Sequence, residues 1–91
     1  MKPAELQAIA DVCHMLADPT RASIVALLAR GPKPVMSLVK ELKLRQPTVS
    51  HHLGLLRNQH LLDGKRKGKQ VFYSLSRGKL GVVREFLAKV K

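Results

Sequence analysis

Residues 46 to 58 read "QPTVSHHLGLLRN", and their pattern decides the fold. Val49, Leu53 and Leu56 fall on one side of a helix turning by about 100° per residue. Pro47, His51 and Gly54 then point directly away, with Thr48 and Ser50 on either flank. None of these outward residues is a strong helix former; a stretch that only had to be helical would use Ala, Leu, Glu and Lys. What stands there instead is a set of short, hydrogen-bonding side chains gathered in the first two turns. That is the chemistry of a major-groove reader. Gln pairs bidentately with adenine, Ser and Thr donate or accept, and a Thr methyl can touch thymine. The second helix of a helix-turn-helix meets base edges with its N-terminal turns, where free N–H groups and the helix dipole also favour a phosphate. The alternative is an ordinary N-capped surface helix whose polar residues face water.

The neighbouring elements supply the context. Leu6, Ile9, Ala10, Cys13, Leu16 and Ala17 recur at helical spacing and predict a first helix from about Ala4 to Leu16. In "DPT" (18 to 20) Asp18 can cap and Pro19 suits a first turn, so a second helix runs to about Ala29 with Ile24, Leu27 and Leu28 inward. "RGPKP" (30 to 34) stops it. A third helix, Met36 to Leu42, carries Leu38, Val39 and Leu42 inward, and Lys43 to Arg45 form a tight turn before the helix of residues 46 to 58. After Asn58 the period changes to two. "VFYSL" (71 to 75) places Val71, Tyr73 and Leu75 on one face of a strand, pairing with Leu61 to Lys67 across a turn at Gly68-Lys69. Leu80, Val83, Phe86, Leu87 and Val90 resume the helical stripe in a last helix. The fold class is mainly α with a small β-hairpin: a winged helix-turn-helix in a single domain over residues 1 to 91.

Charge points to the partner. The chain carries 17 Lys+Arg against 6 Asp+Glu, a formal net charge of +11. Up to residue 29 the basic residues are only Lys2 and Arg21; all others lie from Arg30 onward, facing Glu41, Asp63 and Glu85. A polyanion, double-stranded DNA, is the expected partner of that half, since a surface kept basic for solubility alone would mix the signs. "KRKGK" (65 to 69) puts Lys65, Arg66, Lys67 and Lys69 at the hairpin tip, where they can straddle the DNA backbone and reach the adjacent minor groove. The alternative there is an edge hairpin protected from aggregation by lysines. A single cysteine, Cys13, excludes an internal disulfide. The chain shows neither a membrane span nor a signal peptide, so no membrane partner is expected and the location expected is cytoplasmic.

"LADPTRASIVALL", "QPTVSHHLGLLRN" and "KGKQVFYSL", in this order, resemble the ArsR/SmtB family of bacterial repressors over about residues 6 to 88. That family has a helix-turn-helix ending in "TVSxHLxxL", a wing with an Arg-x-Gly tip and a Tyr-x-Leu strand. The resemblance implies a homodimer formed through the first and last helices, here through Leu6, Ile9, Cys13, Leu80, Val83, Phe86 and Leu87. It implies an inverted-repeat operator near the repressor's own promoter. The family's operator-reading positions match Gln46, Thr48, Ser50 and His51, and its wing arginine matches Arg66; His52, at the core edge, is read as structural.

The chain also departs from the family. Where metal-sensing members carry cysteines on the third helix, Pro34, Met36 and Ser37 stand, and the last helix, "LGVVREFLAKVK", has no histidine. No metal and no cofactor is expected, because soft-metal sites need several thiolates or imidazoles together. Cys13 lies on the apolar stripe of the first helix, where a free cysteine is commonly a small buried hydrophobe. His60 stands where the family usually has glycine after the recognition helix, which predicts a strained cap. An enzyme is not expected, since no nucleophile–base pair or phosphate loop is present. Two other classes remain beside a sequence-specific repressor: a non-specific architectural DNA binder, favoured by the charge, and a protein-docking winged helix, which would need an exposed apolar patch. The sequence names no effector.

Overall fold

The computed structural model describes residues 1 to 90. Helix α1 spans Pro3–Leu16, α2 Pro19–Leu28, α3 Val35–Leu42, α4 Gln46–Asn58 and α5 Arg77–Ala88. Strands β1 (Lys33–Pro34), β2 (Leu62–Lys67) and β3 (Gln70–Leu75) form an antiparallel sheet in the order β1-β3-β2. The core is Val12 and Met15 of α1, Ile24 and Leu28 of α2, Leu38 of α3, Val49, Leu53 and Leu56 of α4, and Leu61 and Leu62 at the entry to the wing. All ten belong to one cluster, so the helix-turn-helix, α1 and the hairpin base share a single apolar centre.

The local signals act as their chemistry requires. The Asp18 carboxylate accepts from the Arg21 N–H at 3.0 Å and caps α2. The Arg21 side chain then turns back, its Nε donating to the Met15 carbonyl at 2.8 Å, so one residue pair fixes the α1–α2 corner. That backbone hydrogen bond holds the Asp18 carboxyl below its usual range. In the hairpin, Leu62 faces Leu75 and Lys67 faces Gln70, leaving Gly68 and Lys69 as a two-residue loop. Gly68 there has φ 61, the left-handed conformation such a loop favours in glycine.

Two sequence expectations need correction. The segment 30 to 34 is more than a stop: Lys33 and Pro34 form the edge strand β1, with Lys33 opposite Tyr73 and Pro34 opposite Phe72. Two residues are too few to show a period, and Pro34 is tolerated because an edge strand need not donate from every residue. Cys13 is exposed and is not a core residue. Helix α1 is apolar on two faces. Val12 and Met15 face the chain's own core, while Leu6, Ala10 and Cys13 are exposed on nearly the opposite side of the helix. The stripe read from the sequence is the outer one.

Helix α4 ends as the histidine at position 60 foreshadows. His60 is left-handed, with φ 62. Its N–H donates to the Arg57 carbonyl at 2.9 Å, and the Leu61 N–H donates to the Leu56 carbonyl at 3.0 Å. This is the Schellman pattern, closed by contact between two fully buried leucines, Leu56 and Leu61. A side chain at this φ costs about 1–2 kcal/mol, partly offset by the smaller entropy of the unfolded chain. His60→Gly is therefore expected to stabilise the fold by about 0.5–1 kcal/mol. A urea titration at fixed protein concentration should show a higher midpoint with an unchanged slope; an unchanged or lower midpoint would show the cap to be unstrained. Gly54 offers an independent test. It sits inside α4 with nothing within 4 Å of where a Cβ would be. Gly54→Ala should stabilise by about 0.5–1 kcal/mol, read as a higher thermal midpoint by circular dichroism.

Candidate nucleic-acid interface

Helix α4 presents the face its sequence pattern requires. Val49 and Leu56 are wholly buried and Leu53 nearly so, whereas Gln46, Pro47, Thr48, Ser50, His51 and Gly54 are exposed. Among the described residues, the side chains of Gln46, Thr48, Ser50 and His51 make no hydrogen bond within the chain. The cap of α4 is equally open, since Arg45 gives no side-chain hydrogen bond to the first turn. A polar face whose donors and acceptors are all unused, at the positive end of a helix, is suited to an anionic, hydrogen-bonding surface. His52 lies at the core edge, half-buried, with its Nδ1 atom buried and without a partner, and its ring meets His51 edge-on at 5.6 Å. It faces the body of the protein.

The wing divides its cations between two faces. Arg66 pairs with Val71 and so shares the side of Val71, Tyr73 and Leu75 that packs toward the body. Lys65 and Lys67 lie on the other side with Phe72, and the Lys67 ammonium sits 5.6 Å from the centre of that ring. The Arg66 Nε donates to the Gly68 carbonyl at 3.4 Å, a long contact across the tip. All four wing cations are exposed, and none is in an ion pair among the described residues. Alternation along β2 therefore spreads positive charge to both flanks of one narrow ribbon.

Helix and wing form one surface. Gln46 at the start of α4 and Lys69 in the wing turn line the same cavity of about 230 Å³, walled by Met36 and Tyr73. At the other end of α4, Arg57 lies against Gly64 of β2, where a Cβ would stand only 3.3 Å from the guanidinium. Gly64 thus leaves room for the Arg57 side chain, with Tyr73 and Val71 close by. Arg45 and Arg57 carry no distinguishing signal in the sequence, because a lone arginine at a helix end resembles any solvated charge. The proposed dimer residues divide as well. Leu6, Cys13 and Leu87 are exposed, Ile9 and Phe86 half-buried, and Leu80 and Val83 pack against the chain's own core. Lys79 of α5 pairs with Asp11 of α1 at 3.0 Å and reaches Gln59 Oε1 at 3.4 Å, joining the two outer helices to the end of α4. Among the described residues no three His, Cys, Asp or Glu side chains converge in a group able to hold a metal, and no helix is long and apolar enough to cross a membrane.

The same fold occurs in known proteins. HlyU from Vibrio cholerae superposes with a TM-score of 0.80 over the whole of both chains at 24% identity, a likeness of fold. The transcriptional repressor BigR from Xylella fastidiosa superposes at 0.74 with 26% identity, covering 100% of this chain and 99% of that one. In sequence, the chain is 41% identical over 76 residues to the HTH-type transcriptional regulator NmtR of Mycobacterium tuberculosis, covering 80% of this chain and 63% of the relative. It is 39% identical over 71 residues to the biofilm growth-associated repressor of Agrobacterium fabrum, covering 78% and 61%. The chain thus spans about three fifths of the length of these relatives. Residues 18–63, from the Asp18 cap to the first residues of β2, match the model of the arsR family of bacterial regulatory proteins. With its winged-helix fold and this match over half its length, the chain belongs to the ArsR family of transcriptional regulators, a family of regulators and not of enzymes.

Proposed function

We propose that the protein is a sequence-specific repressor that binds an inverted-repeat operator as a homodimer. The observation that carries this reading is the outward face of α4. Gln46, Thr48, Ser50 and His51 are exposed and uncommitted, and Gln46 shares a cavity with Lys69 of the basic wing. The helix reads base edges, while Lys65, Lys67 and Lys69 neutralise phosphates and Arg66 reaches toward the minor groove. Relatives named as repressors support this direction of regulation. The dimer is supported by an apolar strip outside the core. Leu6 is 52% and Leu87 59% exposed, on two helices that pack side by side, with Ala10 and Cys13 between polar neighbours on the outer face of α1. A second copy would cover this strip and set two recognition helices about 34 Å apart, one turn of DNA.

The net charge of +11 favours a second reading, a non-specific DNA binder, and the two separate cleanly in solution. Alanine at Gln46 or Ser50 should cost about 1–3 kcal/mol on operator DNA and relax preference at particular positions. Alanine at Lys67 or Lys69 should weaken operator and scrambled duplex alike, lowering the slope of log K against log[salt] by roughly one per lost contact. Fluorescence anisotropy on both duplexes at several salt concentrations measures this. Equal binding of both duplexes by wild type at about 0.15 M salt would leave only the non-specific reading.

The dimer is tested at exposed positions, because Val83 serves its own chain's core and a charge there would unfold the monomer. Leu6→Glu and Leu87→Glu should leave the circular dichroism spectrum intact, convert dimer to monomer by light scattering, and lower operator affinity by roughly 10²-fold or more through lost bivalency. A wild-type monomer at micromolar concentration would refute the dimer.

A further inference from the structure

A second cavity lies away from the recognition helix and wing tip. It measures about 660 Å³ and opens between the end of α2, the turn after it, the end of β3 and one face of α5. Three arginines border it: Arg30 from the turn, and Arg77 and Arg84 from α5. Arg77, Gly81 and Arg84, spaced i, i+4 and i+7, share one face of α5, with Phe86 on the opposite side of the helix. All three guanidinium groups are exposed, and among the described residues none has a carboxylate partner or a side-chain hydrogen bond. Ser76, at the mouth, is the N-cap of α5 but gives no capping hydrogen bond, so the first turn of that helix keeps its N–H groups open beside the same space. The wall between the cations is apolar: Leu28, almost wholly buried, with Leu75 and Leu80 half-buried.

We propose that this cavity is an effector site for a small organic anion, a carboxylate or phosphate monoester carried on an apolar body. The chemistry follows from its lining. Unpaired guanidiniums around one concavity repel one another, and a planar oxyanion satisfies them with paired charge-assisted hydrogen bonds. The leucine wall would take the apolar part, and the volume falls within the ordinary range for small-molecule sites. DNA is the less suitable anion. Five residue steps separate Leu62–Leu75 at the hairpin base from Lys67–Gln70 at its tip, about 17 Å along the strand, and the cavity takes Ser74 and Leu75 at the base. The location also suits regulation. The cavity joins the base of β3, which carries the wing, to the first turns of α5, whose Lys79 holds Asp11 of α1 and reaches Gln59 after α4. An anion with different affinities for the free and operator-bound forms would shift operator affinity by the ratio of those affinities.

This inference rests on the repressor reading for its regulatory meaning, but the binding itself is measured without DNA, so the two can fail separately. The protein is titrated with benzoate and with phenyl phosphate, using benzyl alcohol as the uncharged control, by calorimetry and thermal shift at constant ionic strength. Saturable binding of at least one anion is expected, with a raised thermal midpoint and no response to the alcohol. Arg30→Gln and Arg84→Gln should each weaken binding by roughly tenfold. Gly81→Leu should abolish it by filling the space; no atom lies within 4 Å of a Cβ there, so the variant should fold. The absence of saturable binding at millimolar anion, or binding unchanged in all three variants, overturns the proposal. A third result also overturns it: if Arg30→Gln and Arg84→Gln lower the salt slope of DNA binding as Lys67→Ala does, the arginines are phosphate contacts. A shift in operator affinity on adding the bound anion, absent in Gly81→Leu, supports the effector role.

Discussion

The burial of Val49, Leu53 and Leu56 is the constraint on which the rest of the molecule depends. Each removes a branched aliphatic side chain from water, worth about 1.5–3 kcal/mol, and together they outweigh the poor helix propensity of their neighbours. Thr48, Ser50, His51, His52 and Gly54 cost α4 roughly 3 kcal/mol relative to alanine. A helix built from those residues would be marginal alone; docked on Ile24, Leu38 and Leu61 it takes the rotation that buries Val49, Leu53 and Leu56 together. That rotation turns Thr48, Ser50 and His51 outward, while Gln46 is exposed in the first turn of the helix. The outward polar face is thus fixed by what lies beneath it.

The same docking sets the wing. Leu61 and Leu62 continue from the α4 cap into the core, so the hairpin leaves the body at an angle determined by buried leucines and by the left-handed residue His60. Arg57 lies against Gly64 on the side of the wing. Because β3 is the central strand, flanked by β1 and β2, the wing base is held on both edges while its tip projects beyond β1. Rigid placement at the base and exposed cations at the tip are what a backbone-tracking ribbon needs.

The electrostatics carry a cost as well. Only two ion pairs form among the described residues, Lys33–Glu41 and Lys79–Asp11, so most of the +11 charge is uncompensated. Self-repulsion of this kind destabilises a compact chain and favours any bound anion. The fold meets it with few local anchors: the Asp18 cap, the Arg21 turn back to Met15, and the Lys79 contact between outer helices. The Asp11 carboxyl is held low by Gln7, then by Lys79, as Asp18 is by the Arg21 N–H. Both carboxylates therefore favour the folded state above the ordinary carboxylate range, and that contribution is lost as acid protonates them.

Much of this was legible in the chain itself. Apolar period, the Asp-Pro cap, the Gly68 turn and the change from a period of about 3.6 to one of two defined the helices and hairpin, because each is a local rule acting within a few residues. The outward polar face of α4 followed from the same periodicity, and the strained cap at His60 from the want of a glycine. What the sequence could not decide was which apolar face of α1 turns inward, since Val12 and Met15 compete with Leu6, Ala10 and Cys13 and only the packed body chooses between them. Nor could it reveal β1, two residues that become a strand only by pairing with β3. The meeting of Gln46 with Lys69, of Arg57 with Gly64, and of Arg30 with Arg77 and Arg84 joins residues remote in the chain. Those proximities exist only after the core has closed, because long-range contacts are set by how whole elements pack and not by the spacing of residues along any one of them.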